Sequence, residues 1–408
     1  MLCGGVAGRS SPVEATAGGG RWRRSWLRYP VAMSVLRPTP PEDPLVVEAL
    51  APPDAGLCRQ AADTLASLLA TAGQRDRRVE AVRSVETLLA EYGITRSHAR
   101  RRESRLFAIL TRARAIAGDA DRVVFLSAPA VLDGVRLLLG ACAHPWHAQS
   151  SRGARAGRPI LVCLEARHDA DAVGALVDVL GVEHRHGPPR DLLDRAALVV
   201  CGPTTAASTD IVAALKPTVG ERVWRGDDLA GPVDDVDAGA ILGGPGLLAG
   251  ALVGIDVVRL LVGAAAMVAR CRDAPDDSPA AILAASLHGT AAPPDVLVEP
   301  SALGGLVAWH AHAAARCRAT ALAPRGAIAV NADATRRDLS TASPAWREAP
   351  RAAAAATVAA LRADDVPGAV IRLPRVDEHA LGQTVALLLL AAATADRPPD
   401  SEHSAAVV

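Results

Sequence analysis

After Gly118 the chain alternates short apolar runs with longer stretches of helical spacing, and it does so in two successive blocks. No other feature constrains the fold as much, because this rhythm reads as βαβ units around a parallel sheet covered on both faces. In the first block the expected strands are 122–127, 159–164, 197–201 and 222–224, with helices at 131–142, 169–180 and 206–216. A helical segment over 246–272 follows. The second block reads strand 295–298, helix 302–318, strand 327–330, helix 344–363, strand 369–373 and helix 377–395. The last helix is apolar on nearly every side, from Val385 to Ala393, and so belongs in a core.

The flanks differ in texture. Residues 1–55 are rich in Gly, Pro, Ser and Arg and are expected to be disordered tail and linker. From 56 to 118 the pattern is helical, with Leu65, Leu68 and Leu69, then Val79, Val82 and Val85, then Leu88 and Leu89 at threes and fours. The expected organisation is an N-terminal helical segment at 56–118, α/β domains at 119–245 and 285–396, connecting helices at 246–284 and a tail at 397–408.

Composition excludes several functions. Of 408 residues, Lys+Arg and Asp+Glu number 44 each, so no strongly basic stripe for nucleic acid organises the chain. Aromatics are 2%, too few for base-stacking platforms. Lys216 is the only lysine, and Arg cannot form Schiff bases or shuttle protons near neutrality. The seven cysteines lie far apart with no C-x-x-C pair, as in a reduced intracellular protein without disulfides or a zinc knuckle. Arg21, Arg23, Arg24 and Arg28 precede no apolar region of the kind a secretory signal carries. The longest apolar stretch, 239–255, is interrupted by Pro245 and falls short of the roughly 20 residues a membrane span needs. The expectation is a cytoplasmic protein with no membrane or nucleic-acid partner.

Generic motifs are sparse. Gly244-x-Gly246-x-x-x-Gly250 precedes a helix and reads either as a pyrophosphate cradle or as close helix packing by small residues. His144 and His147, and His184 and His186, have no carboxylate or thiolate at ligand spacing, so no metal site is expected. His310 falls on the stripe Leu303, Leu306, Val307 and Ala314, as a satisfied core imidazole. Trp309, His312 and Arg316 share another face, one that suits a cleft. The acidic residues Asp227, Asp228, Asp234, Asp235 and Asp237 read as a solvated loop. Finally, Thr204, Thr205, Ser208 and Thr209 follow an apolar strand and open a helix. Their hydroxyls suit a phosphate monoester, or else an ordinary N-cap.

Three segments, in order, resemble the sugar-isomerase (SIS) domains of bacterial phosphoglucose isomerases. They are ACAHPWHAQSSRGARAGRPILVCLEARHDADAVGALVDVLG (141–181), GLLAGALVGIDVVRLLVGAAAMVARCRDAPDDSP (246–279) and RLPRVDEHALGQTVALLLLAAATA (372–395). The resemblance spans most of 75–395. It implies two doubly wound SIS domains in three α/β/α layers, a homodimer, no cofactor, and interconversion of glucose 6-phosphate and fructose 6-phosphate in glycolysis and gluconeogenesis. In that family a glutamate moves a proton between C1 and C2, a histidine helps open the ring, cations steady the enediolate and Ser/Thr loops hold the phosphate.

The residues that would carry this chemistry are largely replaced. Where the family has a glycine turn like G-I-G-G-S, this chain has Ser127-Ala128-Pro129-Ala130-Val131. Where it has S-K-S-G-T-T, the chain has Gly202-Pro203-Thr204-Thr205-Ala206-Ala207. The arginine-bearing G-G-R aligns near Asp237-Ala238, and the base in W-Y-D-Q-L-L-A-E-S falls on Arg316. No histidine lies between Asp333 and Ser340. General-base catalysis is worth roughly 10²–10⁴ in rate, so the expectation is an impaired isomerase with no catalytic residue retained. Thr204, Thr205, Ser208 and Thr209 remain as phosphate contacts. The alternative is a non-catalytic sugar-phosphate-binding regulator, or a structural partner of an intact isomerase.

Overall fold

The computed structural model describes residues 45–70, 76–94, 104–167, 170–185, 195–202, 205–225, 238–288, 290–299, 301–314, 325–333 and 344–395, all within the unit Pro44–Val408. Among them, β1 (Val46–Ala49) precedes the helices α1 (Ala55–Ala70), α2 (Arg77–Ile94) and α3 (Arg105–Asp119). The first α/β block then runs β2 (Arg122–Ser127), α4 (Pro129–Cys142), β3 (Ile160–Glu165), α5 (Ala170–Arg185), β4 (Ala196–Val200), α6 (Ala206–Val219) and β5 (Val223–Arg225). Helices α7 (Gly244–Val253), α8 (Val257–Asp273) and α9 (Pro279–Ser286) follow. The second block is β6 (Ala291–Glu299), α10 (Gly305–Ala313), β7 (Arg325–Ala332), α11 (Pro344–Ala363), β8 (Gly368–Leu373) and α12 (Glu378–Ala395).

The first sheet has strand order β3-β2-β4-β5 and is parallel throughout. Its strands alternate in the two-residue period of a sheet buried on both faces. Val124, Leu126, Leu198 and Val200 meet Val173, Leu180, Ile211 and Leu215 of α5 and α6, while Val123, Phe125, Ala197 and Val199 join the main core on the other side. The second sheet has order β1-β8-β7-β6. Ala329 and Val370 cover Val358 of α11, and Ile328, Val330, Ala369 and Ile371 face the same main core. One continuous core thus reaches both sheets.

Three sequence expectations change here. Residues 45–50, assigned to the linker with the rest of the Pro- and Gly-rich stretch 1–55, include β1, which pairs antiparallel with β8 from Val46↔Arg372 to Ala49↔Ala369. Two valines suffice because an edge strand needs hydrogen bonds on one side only, and Glu48 ties the edge to Arg362 and Arg372. The helix expected over 246–272 is broken, since Gly254 adopts φ 87 as a left-handed cap and Asp256 caps α8 by accepting from the Arg259 N–H. The helix expected over 169–180 runs on to Arg185, so that His184 lies within it.

Helix α12 is the described helix long and apolar enough to cross a bilayer, yet nearly all of it is enclosed by protein. It crosses α8 at very short range. A Cβ on Gly263 would overlap the His379 carbonyl oxygen, and one on Gly382 would overlap the Leu260 carbonyl oxygen. Only hydrogen side chains permit this crossing.

Candidate functional site

In an open α/β sheet the ligand crevice forms outside the carboxyl ends of the strands, where the strand order reverses. Here β3 lies on one side of β2 and β4 on the other, so the reversal falls between β2 and β4. At that point the Ser127 hydroxyl, buried, donates to the Cys201 carbonyl oxygen at 2.8 Å. Gly202 follows with φ 114, a backbone state that side chains disfavour. The chain then enters α6 through Thr205.

Thr205 and Ser208 form a reciprocal capping box. The Thr205 hydroxyl accepts from the Ser208 N–H at 3.1 Å, and the Ser208 hydroxyl accepts from the Thr205 N–H at 2.8 Å. The Ser208 and Thr209 hydroxyls also lie 3.0 and 2.9 Å from the Thr205 carbonyl oxygen, as its donors. The three hydroxyls therefore hold the opening turn of α6 at the switch point. Thr204 and Arg316, the remaining residues singled out in the sequence, lie outside the described residues, as do Asp227 to Asp237. Helix α4 opens differently, with Ala128 at its cap and Pro129 in its first turn, so it has no side-chain cap.

A second group, at the start of α4, the carboxyl end of β3 and the end of α10, has no sequence motif to announce it. Asp133 lies near the start of α4, Arg136 one turn later, Glu165 at the carboxyl end of β3 and His312 in the last turn of α10. Asp133 accepts from Arg136 through Oδ1 at 2.7 Å, and its Oδ2 lies 3.0 Å from His312 Nε2. Arg136 also reaches the Glu165 carboxylate at 3.7 Å. The four side chains make a line, His–Asp–Arg–Glu, contributed by three elements. Cys163 stands close by, where burial pushes its thiol up to about 11 despite the Arg136 charge. It is therefore a neutral thiol near pH 7.

Other sequence candidates resolve as packing. Trp309, expected beside a cleft, is fully buried, and a Cβ on Gly134 would stand 3.4 Å from its ring. His310 is buried as expected but not satisfied, for its Nδ1 has no hydrogen-bond partner among the described residues. Burial lowers its pKa to about 4, so it is neutral. Gly246 and Gly250 pack against Ile241 and Val257, and α7 follows a single 3-10 turn rather than a strand, which leaves the close-packing reading of that motif. His144 accepts the Trp146 N–H, and His147 bonds the Pro159 carbonyl oxygen, as turn residues do.

No protein-family model matches the chain, and no curated protein matches it by sequence. Solved structures do. A hypothetical protein from Thermus thermophilus superposes with a TM-score of 0.59 at 16% identity, over 86% of this chain and 94% of that one. A glucose-6-phosphate isomerase from Chlamydia trachomatis superposes with a TM-score of 0.52 at 12% identity, over 82% of this chain and 80% of that one. The likeness is one of fold. It bears out the α/β architecture with parallel sheets over most of the chain.

Proposed function

We propose that this chain is a sugar-isomerase-type protein that takes a hexose 6-phosphate into the crevice between β2 and β4. Its interconversion of glucose 6-phosphate and fructose 6-phosphate falls far below that of a complete isomerase. The observation that carries the reading is the fold likeness to a glucose-6-phosphate isomerase over most of both chains. The capped N-terminus of α6 at the strand-order reversal supports it, since first-turn N–H groups and the helix dipole favour an anion there. The expected impairment follows from the resemblance, which puts Arg316 at the position of the proton-moving carboxylate. An arginine there has no lone pair to accept a proton.

The test uses full-length protein from a host deleted for its own isomerase. Glucose 6-phosphate and fructose 6-phosphate should raise the melting temperature where glucose and inorganic phosphate do not, and the Thr205→Val variant should weaken that rise. A coupled assay should show turnover at least roughly 100-fold below an intact isomerase, the low end of what a general base contributes. Absence of any shift with both esters refutes binding, and full turnover refutes impairment.

A further inference from the structure

We propose that Asp133 and His312 form a proton-transfer pair serving this crevice, and that whatever proton exchange the protein performs on an α-hydroxycarbonyl sugar passes through His312 Nδ1. The inference rests on the hexose-phosphate reading above and deepens it, by naming the group that moves the proton.

The geometry favours this in three ways. First, the Asp133 carboxylate is fixed from both sides, with Oδ1 taken by Arg136 at 2.7 Å and Oδ2 facing His312 Nε2 at 3.0 Å. A carboxylate offers only lone pairs, so Nε2 carries the hydrogen, and in the neutral imidazole Nδ1 is left with its lone pair. This is the arrangement in which a carboxylate orients an imidazole. Second, the imidazole remains accessible: His312 is 39% exposed, Asp133 only 15%, and Nδ1 has no hydrogen bond to any described residue. Third, the neighbours cannot do the same work. Arg136 stays charged, the Cys163 thiol is held up at about 11, and Glu165 lies on the far side of Arg136. Of this group, imidazole is the side chain suited to take and return a proton near neutral pH.

The step balances internally. His312 Nδ1 takes the proton from the carbon bearing the hydroxyl, and the C–H electron pair becomes the C–C double bond. The adjacent hydroxyl proton passes to the former carbonyl oxygen. Collapse of the enediol returns the His312 proton to the former carbonyl carbon and leaves a carbonyl at its neighbour. No electrons leave the sugar and no co-reactant is needed.

The experiment incubates the full chain with glucose 6-phosphate or fructose 6-phosphate in D2O and follows loss of the carbon-bound proton by NMR, with binding read by calorimetry on the same samples. A half-exposed imidazole trades its proton with solvent, so deuterium enters the sugar. We expect exchange above a protein-free control, a loss of at least tenfold in His312→Ala with partial rescue by added imidazole, and a loss of about tenfold in Asp133→Asn, the scale of such outer-shell effects. Urea unfolding of both variants checks that the fold is retained. Binding without exchange overturns the inference while leaving the hexose-phosphate reading intact. Exchange that persists in His312→Ala overturns it as well. Absence of binding removes the reading and the inference together.

Discussion

Replacing Gly382 by alanine provides a sharp test of how this core is built. In an ordinary helix interior a Gly-to-Ala change is favourable by about 0.8–1.0 kcal/mol, because glycine has the larger backbone entropy to lose. At position 382 the sign reverses. The new Cβ would overlap the Leu260 carbonyl oxygen and stand 2.9 Å from the Ala264 nitrogen, both backbone atoms of α8 that no rotamer change can move aside. The helices must part by roughly 1 Å, and a gap of that size forfeits a quarter to a half of each facing dispersion contact. Overpacking of this kind costs about 1–3 kcal/mol and reaches the top of that range when backbone is struck. After subtracting the propensity gain, Gly382→Ala should lower the unfolding free energy by about 2 kcal/mol. Gly263→Ala, which strikes the His379 carbonyl oxygen in the same crossing, should do likewise, and the double variant should fall short of the sum. Gly174 in α5 serves as the control, for a Cβ there meets nothing within 4 Å. Gly174→Ala should stabilise by up to about 1 kcal/mol. Urea unfolding followed by far-UV circular dichroism reads all four variants. A Gly382→Ala protein as stable as the parent would refute the close crossing.

Burial raises the Asp377 carboxyl, but the Ala380 N–H, Arg375 and Arg259 outweigh it and hold it below the ordinary carboxylate range. A depressed carboxyl stabilises above its unfolded value near 3.9 and loses that stability as pH falls through its folded value, so Asp377→Asn should flatten the acid limb of a stability–pH curve. His310, lowered by burial to about 4 from 6.5, acts in a different window. Between those values the unfolded chain takes up a proton that the folded chain refuses, and stability should drop by about 3 kcal/mol as pH falls; His310→Leu should remove that slope in urea titrations at about pH 7 and about pH 4.5. Thr205→Ala should cost about 1 kcal/mol through loss of the α6 cap, measured as a lower denaturation midpoint.

The alternation of apolar runs was enough to place β2, α4, β4, α6, β7 and α12 within a few residues, because each is buried on a face that its own spacing declares. β1 was illegible for the opposite reason. Val46 and Val47 are a short edge strand set among prolines, and only pairing with β8 gives them meaning. The break between α7 and α8 hinged on one backbone angle at Gly254 within a continuous apolar run. At the candidate site the Thr205–Thr209 turn was visible, since capping chemistry is local. The Asp133–His312 pair was not, since its members sit 179 residues apart and meet only when α10 packs on α4. Trp309 and His312 share a short helix, and the sequence spacing could not tell which of them faced the core.

Because β1 and β8 come from opposite ends of the described chain, their pairing sets a timetable for biogenesis. At about 5–20 residues per second, a ribosome needs on the order of tens of seconds between exposing Val46 and delivering Arg372. Throughout that interval the valine pair has no partner strand, and the second sheet acquires this edge only once β8 has been made. A nascent chain stalled before residue 368 therefore carries a β1 segment whose backbone lacks the hydrogen bonds that β8 gives it in the finished protein, and holdase chaperones should retain it there.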